Sequence, residues 1–103
     1  MNDQILIDGN KYLFDLNLQQ IVENGKVVLY SPTLDLAGIG NTEAQASDDL
    51  KAIIEITFEY AIQKGTLEKL LFSQGWQKLE GKIQSRPLEL SAANYHKSIA
   101  ISA

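Results

Sequence analysis

The sequence predicts an α+β fold: a mostly antiparallel sheet with one long helix packed on one face, in the order β-β-β-α-(α)-β. Three observations predict it. Residues Lys11 to Leu18 alternate, with Tyr12, Phe14, Leu16 and Leu18 on one side and Lys11, Leu13, Asp15 and Asn17 on the other; a period of two with one apolar face marks a half-buried strand. Asn24-Gly25 then supplies the two positive-φ residues of a type I′ hairpin turn, with the β-prone run Lys26 to Tyr30 returning behind it. Glu43 to Lys64 carries apolar residues at helical spacing between start and stop signals. Strands followed by helix place the helices on one side of the sheet.

Taken in order, Gln4 to Ile7 is a short candidate strand closed by the Asp8-Gly9 turn signal. The strand from Lys11 extends toward Ile21 or Val22. Pro32 has no amide donor and ends the returning strand near Ser31. Leu34 to Ile39 reads as a third antiparallel strand, with Gly38 and Gly40 as a bulge or tight bend into the helix. Thr42 is the expected N-cap and Gln45 the far side of a capping box. Ala46, Leu50, Ile53, Ile54, Thr57, Phe58 and Ala61 make the apolar stripe, and Gly65 is the expected left-handed stop. Thr66 is a second candidate N-cap for a short amphipathic helix carrying Leu67, Leu70, Leu71 and Trp76, with Trp76 packing as a lid. Gln77 to Ser91 reads as an extended connection with some irregular strand. Tyr95 to Ala103 alternates again and forms the last strand; a helical crossover before it leaves it free to run parallel to a central strand.

The chain of 103 residues is expected to form a single domain, 1–103. It contains no cysteine, which removes disulfides, thiolate metal sites and cysteine nucleophiles. No apolar run approaches the roughly 20 residues of a membrane helix, and no signal-peptide pattern opens the chain, so a cytoplasmic location is expected. The net charge of −4 argues against a sequence-independent grip on nucleic acid and suits a basic protein partner or simple solubility.

Val27 to Trp76 resembles the HicB antitoxin family. The residues that carry the likeness are Tyr30-Ser31-Pro32, Leu34-Asp35-Leu36, Gly38, the helix entry Gly40-Asn41-Thr42 with Ala46, and the Gly65-to-Leu71 segment ending at Gly75-Trp76, which resembles a compact subgroup. The resemblance implies a partial RNase H-like core and a non-enzymatic role in a toxin-antitoxin system, masking a small basic HicA-type ribonuclease toxin. Family members that also repress their operon do so with a separate C-terminal DNA-binding module; after Trp76 this sequence has no two-helix pattern with a basic recognition helix.

An RNase H-like topology prompts a search for clustered carboxylates that hold divalent metal. The candidates are Asp15, Asp35, Glu43, Asp48 and Asp49. Each has a plainer reading: Asp15 on a polar strand face, Asp35 supporting a proline turn, the others at or beyond the helix start. The single histidine, His96, reads as a surface residue, and Gly38-Ile39-Gly40 lacks the third glycine and lysine of a phosphate loop. Lys78, Lys82, Arg86 and Lys97 make the last third more basic, with too few interleaved aromatics for a nucleic-acid platform. No catalytic residue, cofactor or metal ligand is assigned. The expected partner-binding residues are Asp48, Asp49, Glu55 and Glu59 on the helix, together with an exposed sheet edge. The alternatives are a solitary homo-oligomeric regulatory or scaffold domain built on edge-strand pairing, and a metal-dependent nuclease.

Overall fold

A computed structural model of the chain describes residues 2–8, 11–80, 82–88 and 94–102. Met1, Gly9 of the expected Asp8-Gly9 turn, Asn10, Gly81, residues 89–93 and Ala103 lie outside the described residues. The elements are β1 (Gln4–Asp8), β2 (Lys11–Glu23), β3 (Lys26–Ser31), β4 (Leu36–Gly40), α1 (Glu43–Lys64), α2 (Leu67–Ser73), β5 (Gln77–Leu79), β6 (Lys82–Gln84) and β7 (Tyr95–Ser102). All strand pairs are antiparallel.

β2 is the spine of the sheet. Its first half pairs with β1 (Ile5 opposite Phe14) and with β7 (Ile99 opposite Phe14), and its second half pairs with β3 (Gln20 opposite Leu29). Amide and carbonyl groups alternate edges along a strand. The Asn17 amide donates to Asp3, just ahead of β1, whereas the Leu18 carbonyl accepts from Asn94, just ahead of β7. Gln20 addresses Asn94 through both its amide and its carbonyl. β1 and β3 therefore abut on one long edge of β2, and β7 takes the other. β4 extends the sheet beyond β3, and β6 and β5 extend it beyond β1.

The hairpin forms as its turn residues require: Asn24 and Gly25 have φ of 53° and 74°. β4, expected from Leu34, starts two residues later, at Leu36, because Asp35 turns left-handed (φ 54°) and donates its amide to the Ser31 carbonyl. β7 runs antiparallel to β2 rather than parallel to a central strand, because what precedes it is not a single helical crossover but α2 followed by the antiparallel strands β5 and β6.

α1 begins at Thr42, whose hydroxyl accepts the Gln45 amide at 3.1 Å. The Gln45 side chain reaches back to the Asn41 amide, one residue before the cap, at 2.8 Å. The helix ends at left-handed Gly65, where the Gly65 and Thr66 amides bond to Ile62 and Ala61 carbonyls. Its buried residues are Ala46, Ser47, Leu50, Ile54, Phe58, Ala61 and Ile62. The stripe is thus centred slightly to one side of the expected one: Ile53 is half-buried and Thr57 exposed. Phe58 stacks on Phe14 of β2, ring centroids 5.7 Å apart. The helix lies against β4 and β3, and Gly38 and Gly40 of β4 are what let it come so close. A Cβ at Gly38 would stand 2.3 Å from the Ala46 carbonyl oxygen and 2.4 Å from the Leu50 nitrogen.

Thr66 makes no side-chain cap on α2, which ends at Ser73. Trp76 lies beyond that helix and is buried, as a lid should be, though its indole nitrogen has no hydrogen-bond partner among the described residues. Where β1 approaches the end of β3, a buried polar knot closes the junction. Asp3 accepts the Asn17 backbone amide at 2.8 Å, the Asn17 side-chain amide at 2.9 Å and the Thr33 hydroxyl. Ser85 donates its amide to the Asp3 carbonyl and accepts the Asp3 amide on its hydroxyl. Every oxygen of the Asp3 carboxylate is satisfied without a counter-ion, which is what makes its burial tolerable. No helix among the described residues is long and apolar enough to cross a membrane.

Candidate functional site

The sheet has one face under α1 and one face open. On the open face, cross-strand neighbours form apolar and polar rungs. Ile21, Val28 and Ile39 line up across β2, β3 and β4, and Leu6, Leu13 and Ala100 across β1, β2 and β7. Between them lie Gln4, Asp15 and Ser98.

Asp15 is partnered from β7. His96 Nε2 lies 2.5 Å and Ser98 Oγ 3.1 Å from the same carboxylate oxygen. The pairing was invisible in sequence because it depends on the β2–β7 register. A nucleophile set needs histidine between hydroxyl and acid; here the acid is in the middle, and both partners serve it. Asp35 accepts the Tyr30 hydroxyl at 2.7 Å, and this hydrogen bond raises the Tyr30 phenol above its usual 10.0. Glu43 accepts the Tyr95 hydroxyl and the Gln20 side-chain amide, and the Tyr95 phenol is raised for the same first reason, its hydrogen bond to the carboxylate. The acids Asp15, Asp35 and Glu43 therefore stand at three separate places, each held by a neutral or aromatic partner. Among the described residues no group of three or more His, Asp or Glu side chains is placed to hold a metal ion.

The four helix acids divide. Asp48, Glu55 and Glu59 are seven and four residues apart, which puts them on one side of α1. Glu55 faces Lys51 at 4.0 Å, and Glu59 accepts a long 3.5 Å contact from Gln63. Such exposed contacts contribute little. Lys51, Glu55 and Glu59 line a groove of about 310 Å³ whose other wall is Ala100 and Ile101 of β7. Asp49 points elsewhere. Its carboxylate accepts the Ile39 amide of β4 at 2.8 Å, so it is tied to the far edge of the sheet.

Two exposed side chains lie outside the predicted apolar stripe of α1. Ile56 is 78% and Tyr60 69% exposed on the side of α1 away from the sheet, with Lys64 lying 5.6 Å over the Tyr60 ring. The signal was present in their four-residue spacing, one step round from the stripe that was read. No protein-family model, no curated protein and no solved structure matches this chain.

Proposed function

We propose that this chain is a non-enzymatic binding module of the HicB-like antitoxin kind, whose role is to mask a small basic protein of the HicA-type ribonuclease class. The observation that carries the reading is the acidic row Asp48, Glu55 and Glu59 along the solvent side of α1. Three carboxylates on one rigid helix, none tied into a close ion pair, steer a basic surface and lose little hydration until it docks. The reading also draws on the resemblance over Val27 to Trp76, a stretch that holds β3, β4 and the glycine-seated α1. The separation of Asp15, Asp35 and Glu43 supports a masking role over a metal-dependent nuclease.

Co-expression with the product of the reading frame adjacent to its own tests the reading. The expected result is a stable complex and rescue of growth from the toxin. The triple variant D48K/E55K/E59K should lose the complex while keeping its far-UV circular dichroism. Absence of both complex and rescue, or a complex indifferent to charge reversal, overturns it.

A further inference from the structure

We propose that two copies of this chain pair through the outer edges of β7 to make one continuous sheet. Three observations lead there. First, β7 is eight residues long and, among the described strands, pairs only with β2. Its odd-numbered residues face β2's hydrogen-bonding groups, so the amides and carbonyls of residues 96, 98, 100 and 102 point outward, with no described strand to meet them. An edge of that length is an open template for another strand. Second, the chain treats its other edges differently. At β4 the outward Ile39 amide is occupied by Asp49, and β5 is only three residues long. Third, the β7 edge is complementary to itself. With residue 96 of one copy opposite residue 102 of the second, the two-fold axis passes at Ile99 and Lys97 lies opposite Ile101 of the second copy. Ile101 shares its groove with Glu55, Glu59 and Lys51, two acids to one base, and the Lys51 contact to Glu55 is a loose 4.0 Å. Lys97 is half-buried on the helix side of β7 and makes no ion pair among the described residues. Pairing would bring each Lys97 to the acids of the other copy, twice per dimer. A second copy of the chain is the occupant that this register and charge pattern suit.

The inference shares Glu55 and Glu59 with the masking role, but it is tested on the purified chain with no partner present and turns on Lys97 and Ala100, which the masking role does not use, so the two fail separately. Size-exclusion with light scattering at micromolar concentration is expected to give twice the chain mass of 11.4 kDa. Ala100→Pro removes an outward amide, and Ala100 is exposed with its pairing to β2 on the other side; it should give the monomer mass. Lys97→Glu should weaken dimerisation at least tenfold, and adding Glu55→Lys and Glu59→Lys in the same chain should restore it. A wild-type monomer overturns the proposal. So does a dimer that survives both Ala100→Pro and Lys97→Glu, or one that dissolves with Ile56→Glu on the solvent side of α1 but not with the β7 variants.

Discussion

Replacing Gly38 by alanine tests how closely the helix must sit on the sheet. The new Cβ would meet the Ala46 carbonyl oxygen at 2.3 Å, the Leu50 nitrogen at 2.4 Å and the Leu50 Cβ at 2.7 Å. Two of these are helix backbone atoms, so no change of rotamer relieves them. Ordinary contact begins near 3.4 Å, and α1 has to rise by about 1 Å, a gap that forfeits roughly a quarter to a half of the dispersion attraction beneath it. Leu50, Ile54 and Phe58 are the large side chains under that part of the helix, all essentially fully buried. At about 1.5–3 kcal/mol each, their weakened packing amounts to roughly 1–4 kcal/mol. For a domain of this size that lowers Tm by at least about 5 °C. Thermal melts and urea titrations followed by Trp76 fluorescence read the loss, and hydrogen exchange at the Ile39 amide reads its cause. A lifted helix withdraws Asp49 and speeds that exchange. Gly25→Ala is the control: nothing lies within 4 Å of its Cβ, and only its φ of 74° opposes the change, so it costs stability through turn strain and leaves Ile39 protected. A Gly38→Ala protein that melts within about 2 °C of wild type and keeps Ile39 protected would refute the close-seat argument.

Asp3→Ala leaves the Asn17 and Thr33 donors without their carboxylate and should cost roughly 2–5 kcal/mol in urea unfolding; Asp3→Asn, which keeps one acceptor, should cost less than half as much, and equal losses would show that the knot works by shape alone. Tyr95 and Tyr30 each have a phenol raised above 10.0 in the folded protein by a carboxylate acceptor. Their neutral forms are favoured by folding, so the stability they contribute is complete below pH 10.0 and drains away as pH rises through the raised values. The double variant Tyr30→Phe/Tyr95→Phe should therefore show a shallower alkaline decline of Tm than wild type, and an unchanged slope would contradict the assignment.

Most of the architecture could be read from local chemistry. The β2 alternation, the Asn24-Gly25 turn, the Thr42 cap and the Gly65 stop each act within a few residues, and each is found in place. What stayed hidden depends on register or on distant chain. The β5–β6 hairpin is two strands of three residues, too short for a period to register. The Asp3 knot joins residues 14, 30 and 82 positions apart. His96 is on the surface as its strand pattern predicts, but nothing local says that Asp15 will stand beside it. Among the candidate site residues, helical spacing was enough to group Asp48, Glu55 and Glu59. It could not show that Asp49, one residue on from Asp48, turns through about 100° toward the sheet edge.

That turn of Asp49 follows from the same glycines that seat the helix. With no side chains at positions 38 and 40, the first turns of α1 lie directly on β4, and a residue one helical turn past Ala46 stands within reach of the next outward amide, Ile39. A carboxylate there takes a donor that another strand would otherwise use. β7 lies across the sheet on the other side of β2, where the helix presents Glu55 and Glu59 to the rim groove and, among the described residues, neither accepts a β7 amide. One helix over a sheet wider than itself closes one edge and leaves the opposite one open. Asp49→Ala should remove the difference. The exposed Ile39, 56% accessible, then flanks an unblocked β4 edge, and light scattering should show species larger than the wild type's with increasing concentration. Unchanged mass at every concentration would mean that Asp49 only braces the helix and that the edge is closed by something other than its carboxylate.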